Sequence, residues 1–150
     1  MRNCVMMAVV IGIAGCASSM SPPVESDLAG AWMVEYIGER PVIDNSPATI
    51  EFAGNGRVGG NASCNRFVGE YALSGSSLSF GKLGATKMMC PPALMEQEAR
   101  FLAALERVSK VQIQNGLLVL FDVEGVAVFK ASRKEKLKFQ QPESSNRRSS

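Results

Sequence analysis

The residues best equipped for chemistry lie in two short stretches, Asn61-Ala62-Ser63-Cys64-Asn65-Arg66 and Lys87-Met88-Met89-Cys90. Asn61, Asn65 and Arg66 could form a small-molecule or peptide subsite. The Arg66 guanidinium would clamp an anion, the Asn amides would orient the ligand, and Lys87 would add a cationic rim. The same residues have a purely structural use, because Asn side chains hydrogen-bond bent backbone and a Cys64–Cys90 bridge would staple the bend. Both uses are compatible with the residue types. Met88-Met89 offers either a pliable apolar groove or ordinary core packing, with strand alternation turning one of the pair inward. No catalytic set emerges. The 150 residues contain no histidine, which excludes Ser-His-Asp triads, Cys-His pairs and every His-ligated metal site. Ser63 therefore has no histidine base. Glu96 and Glu98 stand two apart on a helix and point to different faces. Gly54-Asn55-Gly56 has the chemistry of a hairpin turn, not of a phosphate loop, since no Gly-Lys-Ser/Thr follows it. No cofactor, metal or nucleic-acid module is expected.

The cysteines carry the strongest localisation signal. Met1-Arg2-Asn3 is a short positive start, and Cys4 to Ile13 is an uncharged apolar run of ten residues. That length fits a signal-peptide core, whereas a spanning helix needs about 20 residues. Ile13-Ala14-Gly15-Cys16 then resembles the bacterial lipobox, in which small residues precede a cysteine whose thiol accepts a diacylglyceryl group. Cleavage before Cys16 and acylation there would tether the chain, since buried methylenes contribute about 0.8 kcal/mol each. Ala17 follows the cysteine, not aspartate, and enteric-type sorting would then place the protein in the inner leaflet of the outer membrane, facing the periplasm. Cys4 leaves with the leader and Cys16 is capped, so Cys64 and Cys90 remain. An even remainder in an exported chain favours one disulfide, with two free thiols as the alternative. Two cysteines without His or a nearby CxxC cannot fill a zinc shell.

Charge divides along the chain. The formal net charge is +2, too small to imply a polyanionic partner, but residues 133–150 hold six Lys/Arg against two Asp/Glu. That tail is polar and Ser-rich and reads as disordered. At the other end, residues 16–27 are small, polar and Pro-broken, and read as a lipidated N-terminus with a flexible tether. A folded domain over 28–132 lies between them, preceded by a signal peptide over 1–15.

Short strands must position the two chemical stretches. Trp32, Val34 and Tyr36 alternate with Met33, Glu35 and Ile37, and Ala48, Ile50 and Phe52 alternate with Thr49 and Glu51. Gly59 and Gly60 mark a bulge or bend in the strand that leads to Cys64. Phe67, Gly69, Tyr71 and Leu73 give another period-2 set, followed by Leu78–Phe80, Val111 with Ile113, Leu117–Phe121 and Val126–Phe129. Frequent turn signals, among them Asn115-Gly116, separate them. One segment breaks the pattern: after Pro91-Pro92, Leu94, Phe101, Leu102, Leu105 and Val108 recur at helical spacing, with Glu96 and Arg100 as an i,i+4 pair on the polar side. The expected fold is mainly β (α+β), an incomplete antiparallel β-barrel with one amphipathic helix packed across it. Trp32, Ile50, Phe52, Phe67, Tyr71, Phe80, Phe101 and Leu105 are the core candidates. Tyr71 needs a partner for its hydroxyl if buried.

Three stretches together resemble one family. Gly59-Gly60-Asn61-Ala62-Ser63-Cys64-Asn65-Arg66-Phe67, Ala85-Thr86-Lys87-Met88-Met89-Cys90 and Pro91-Pro92-Ala93-Leu94-Met95-Glu96-Gln97-Glu98 with Phe101-Leu102 are similar, in order and spacing, to the META-domain or HslJ-like family. The likeness spans about Leu28 to Ala131 and leaves the basic tail outside. It implies an incomplete antiparallel barrel with one helix, a stress-linked envelope role and no established enzymatic reaction. The function expected is a non-enzymatic, membrane-anchored envelope lipoprotein whose barrel binds a partner protein, or a lipid-like ligand in its interior. The alternative is an inhibitor of an envelope hydrolase that presents the loop around Cys64.

Overall fold

Asn55 and Asn115 adopt φ values of 52° and 51°, each followed by a glycine at positive φ, so both Asn-Gly turns form tight hairpins as their composition dictates. They join β3 (Ala48–Gly54) to β4 (Arg57–Ala62) and β8 (Lys110–Gln114) to β9 (Leu117–Phe121). The computed structural model describes residues 21–134. The leader, Cys16 and the tail beyond Lys134 lie outside them. The other strands are β1 (Gly30–Ile37), β2 (Arg40–Pro41), β5 (Arg66–Ser74), β6 (Ser77–Phe80), β7 (Gly84–Ala85) and β10 (Ala127–Arg133). The helices are α1 (Glu25–Leu28) and α2 (Pro92–Arg107).

All strand pairs are antiparallel. Eight strands run in the order β1-β3-β4-β5-β6-β8-β9-β10, and β10 pairs back onto β1. β2 and β7 add to β1 and β5 outside this ring. The barrel is thinnest between β6 and β8, where one residue pair, Ser77 with Lys110, carries the ladder. Helix α2 packs across the barrel, against β1, β4, β6 and β10. Its Phe101, fully buried, stands between Phe67 of β5 and Phe129 of β10, with ring centroids 5.5 Å and 5.0 Å away. Trp32, Ile50 and Phe52 fill the rest of the axis at 1% exposure or less. The interior is thus packed with side chains, and each such residue contributes about 1.5–3 kcal/mol by leaving water.

The expected alternation holds in β3 and β5 but fails in β1. A register shift between Val34 and Tyr36 turns Tyr36 outward and Ile37 inward. Tyr36 instead lies under the Lys130 ammonium, 5.6 Å from its ring centroid. Phe80 is partly buried against the core, stacked on Phe52. Tyr71 is buried and its hydroxyl donates to Glu25 Oε1 at 3.1 Å, which supplies the partner it needs. Burial, then that hydrogen bond and the Glu25 charge, raise its pKa.

The boundaries of the folded part are wider than composition indicates. Glu25, Ser26 and Asp27, expected in the tether, form α1 with the fully buried Leu28 that opens the expected domain, so the folded part begins by Glu25. At the other end β10 continues through Arg133, whose guanidinium lies 4.4 Å over the Trp32 ring. Arg133 also donates to the Ala29 carbonyl at 2.8 Å and to the Asp27 carbonyl, and the Lys134 N–H donates to Ala31. A chain cut after Ser132 is therefore expected to lose about 1–2 kcal/mol relative to one cut after Lys134, from the stacked cation and its hydrogen bonds. Urea unfolding of the two truncations measures the difference, and equal midpoints would show that Arg133 contributes nothing.

Candidate functional site

Gly60 sets the course of the chain into the site. Its φ is +150°, and a β-carbon there would lie 2.1 Å from the Thr49 carbonyl oxygen, so only glycine lets β4 approach β3 so closely. Two residues beyond Asn61 the backbone bends sharply. Ser63 holds a φ of 108°, an unfavourable conformation for a residue with a β-carbon, and Ser63, Cys64 and Asn65 are all buried. Asn61 Oδ1 accepts the Ser63 N–H at 2.9 Å, and the Ala62 N–H donates to the Asn65 carbonyl at 2.8 Å.

Asn65 uses its whole hydrogen-bonding capacity inside the protein. Its Oδ1 accepts the Met88 N–H at 2.6 Å and the Thr86 hydroxyl at 2.9 Å. Its Nδ2 donates to the Met88 carbonyl at 3.3 Å and to Glu98 Oε1 at 3.0 Å, while its backbone N–H donates to Glu98 Oε2 at 2.6 Å. One amide thus grips both polar groups of a single peptide residue, as a neighbouring strand would. Cys64 is joined to Cys90 by a disulfide, with α-carbons 6.0 Å apart. Gln97, fully buried on α2, accepts the Ile43 N–H at 2.7 Å and donates to Ser46 Oγ at 2.8 Å and Ser63 Oγ at 2.7 Å.

These contacts alter several expectations. Asn65 spends its whole amide on the bend and is not free to orient a ligand, while Asn61 serves the bend through its Oδ1. The bend around Cys64 is itself buried and cannot be presented to an enzyme. Met88 and Met89 do not pack in the core: residues 86–91 form no strand, so no alternation applies, and the two side chains are 57% and 90% exposed. Arg66 and Lys87 are also exposed, and the Thr86 N–H donates to the Arg66 carbonyl at 3.0 Å, which sets the two segments side by side. The arrangement is a buried lock beneath an exposed tip, with Met88 and Met89 outward and Lys87 next to them in the chain.

Gln97 and Glu98 are the residues that sequence reasoning missed. They precede Phe101 by four and three positions, on the buried stripe of α2 that also holds Ala104 and Leu105. That offset was the available signal. The expected Glu96–Arg100 pair does not form. Glu96 accepts from Arg40 at 3.1 Å instead, and Nε and Nη1 of Arg100 are buried without a hydrogen-bond partner among the described residues. Buried donors of a charged group left unpaired cost about 1–3 kcal/mol or more.

Arg100 borders a cleft of about 350 Å³ between α2 and the turn after β1. Arg107, about two helical turns further along, is committed to Asp122. The Asp122 carboxyl is held below the usual carboxylate range, chiefly by the Val126 N–H and further by Arg107 and the Glu124 N–H, against a contrary effect of burial.

Comparison with known proteins fits this geometry. The chain is 28% identical to heat shock protein HslJ of Escherichia coli (strain K12), over 83% of this chain and 91% of that protein. An NMR structure 26% identical in sequence superposes with a TM-score of 0.60, covering 73% of this chain and 94% of its own. An NMR structure of a protein from Burkholderia xenovorans, 23% identical, gives 0.59 over 89% and 99%, and so shares the fold. The META domain model matches residues 26–141, which takes in the first part of the basic tail that composition had set apart. With most of its length inside that match, the chain belongs to the META-domain, HslJ-like family.

Proposed function

We propose that this protein is a non-enzymatic, lipid-anchored protein of the bacterial envelope that grips a partner protein with the tip formed by Lys87, Met88 and Met89. The observation that carries this reading is the exposure of two adjacent methionines on a loop held by a disulfide and by the Asn65 amide. Methionine is enriched at protein interfaces because its unbranched, polarizable side chain adapts to an apolar recess. A pre-ordered loop loses little conformational entropy on binding. Lys87 in the tip favours a recess edged with carboxylates. The disulfide suits an oxidising compartment, and a leader ending just before Cys16 supports an anchor in the outer membrane facing the periplasm. The META/HslJ-like family is not a known enzyme family. Similarity to a heat shock protein supports a stress-related role.

A packed barrel axis argues against a lipid-like ligand inside it. The convex, fixed tip also suits the alternative of an inhibitor that enters the active-site cleft of an envelope hydrolase, with residues 87–89 as the inserted part.

Crosslinking pull-downs from envelopes test the reading. The double variant Met88→Ser/Met89→Ser is expected to keep its stability within about 0.5 kcal/mol, as surface changes do, while losing the protein captured by the unaltered chain. Identical capture by both would overturn it. Inhibition of a captured hydrolase would select the inhibitor form.

A further inference from the structure

We infer that the cleft between α2 and the turn after β1 is a binding site for a small amphipathic carboxylate, anchored by Arg100. The inference is independent of the methionine tip, which lies on the loop before α2, whereas the cleft lies along the helix itself. Arg100, Ala103, Ala104 and Arg107 recur at helical spacing along one wall of the cleft, and Ile37 and Val128 are among the residues of the other side. Ile37, Ala104 and Val128 are buried and apolar, so the cleft combines an apolar floor with a cation. Its volume of about 350 Å³ is at the small end for ligand sites.

The charges select the ligand class. Arg40 is engaged by Glu96 and Arg107 by Asp122, which leaves Arg100 as the lining arginine whose buried Nε and Nη1 have no partner among the described residues. A planar guanidinium matches a carboxylate through two parallel hydrogen bonds, and the long side chain can turn its donors into the cleft without backbone movement. Glu39, exposed at the rim, opposes a second negative charge. One unmatched cation over an apolar floor fits a monoanion with a short hydrocarbon chain better than a phosphate dianion.

The test uses the full chain carrying Cys16→Ser, which stays free of acyl groups, titrated with sodium octanoate and followed by amide NMR. Saturable shifts at Gly38, Ala103, Ala104 and Val128 are expected, with a Kd of about 1 mM or tighter. Arg100→Met should weaken binding about tenfold or more while leaving Tm unchanged or raised, because it removes buried, unpartnered donors. A merely structural arginine would lower Tm on the same change. Ala103→Glu, at an exposed helix position, should abolish binding by placing a carboxylate in the cleft, and it decides the matter if Arg100→Met does not fold. Absence of saturable binding would overturn the proposal. So would equal binding of 1-octanol or of inorganic phosphate, or octanoate affinity unchanged in both variants.

Discussion

Asn65→Ala is expected to lower the unfolding free energy by about 3–5 kcal/mol, a large share of the 5–15 kcal/mol typical of such a domain. The substitution removes little apolar contact. Its cost arises because Glu98, buried on α2, loses one of its two donors, because the Met88 N–H and carbonyl lose the amide, and because the Thr86 hydroxyl loses the acceptor of its proton. Asn65→Asp keeps the volume and should be at least as damaging, since it sets a second carboxylate where Nδ2 stands 3.0 Å from Glu98 Oε1. Adding Glu98→Gln to Asn65→Asp should recover part of the loss, which packing alone would not do. Urea unfolding of the three variants measures this. A loss below about 1 kcal/mol for Asn65→Ala would mean that the amide is not the hub of the loop.

The second large effect is expected from the disulfide. Cys64 and Cys90 are separated by 26 positions, and closing a loop of that size stabilises by about 3–4 kcal/mol on the chain-entropy model. The double variant Cys64→Ser/Cys90→Ser should therefore melt roughly 15–20 °C lower than the oxidised protein. Reduction of the unaltered chain should have the same consequence. The bond also joins the strained Ser63 bend to Cys90, two residues before the helix, so its loss should free residues 86–90 to exchange amide protons faster. A midpoint unmoved by reduction would show that hydrogen bonds alone hold the bend.

Local rules made much of this arrangement legible. Asn-Gly dipeptides marked two hairpins, period-2 runs marked β3 and β5, and Pro91-Pro92 followed by an apolar stripe marked α2 to within one residue at each end. Cysteine arithmetic paired Cys64 with Cys90. What escaped depends on contacts between distant segments. The turn of Tyr36 to the outside follows from a bulge against β10, nearly a hundred residues away in sequence. Glu96 chose Arg40 across the fold over Arg100 on its own helix, which no i,i+4 rule anticipates. Gln97 and Glu98 are polar residues on a buried stripe, and their burial is tolerable only because Asn65, Ser63, Ser46 and Ile43 meet them there. The exposure of Met88 and Met89 follows in turn, since Asn65 occupies the polar groups that a strand would have used.

The partner-binding role of the tip is tested most directly by photocrosslinking in place. The full chain would carry p-benzoylphenylalanine instead of Met89 and be irradiated in its own envelopes. The expected result is a discrete protein adduct that disappears in the Cys64→Ser/Cys90→Ser background. The same probe at Val123, 86% exposed on the turn between β9 and β10, should give none. No adduct from position 89, or the same adducts from both positions, would contradict the proposal.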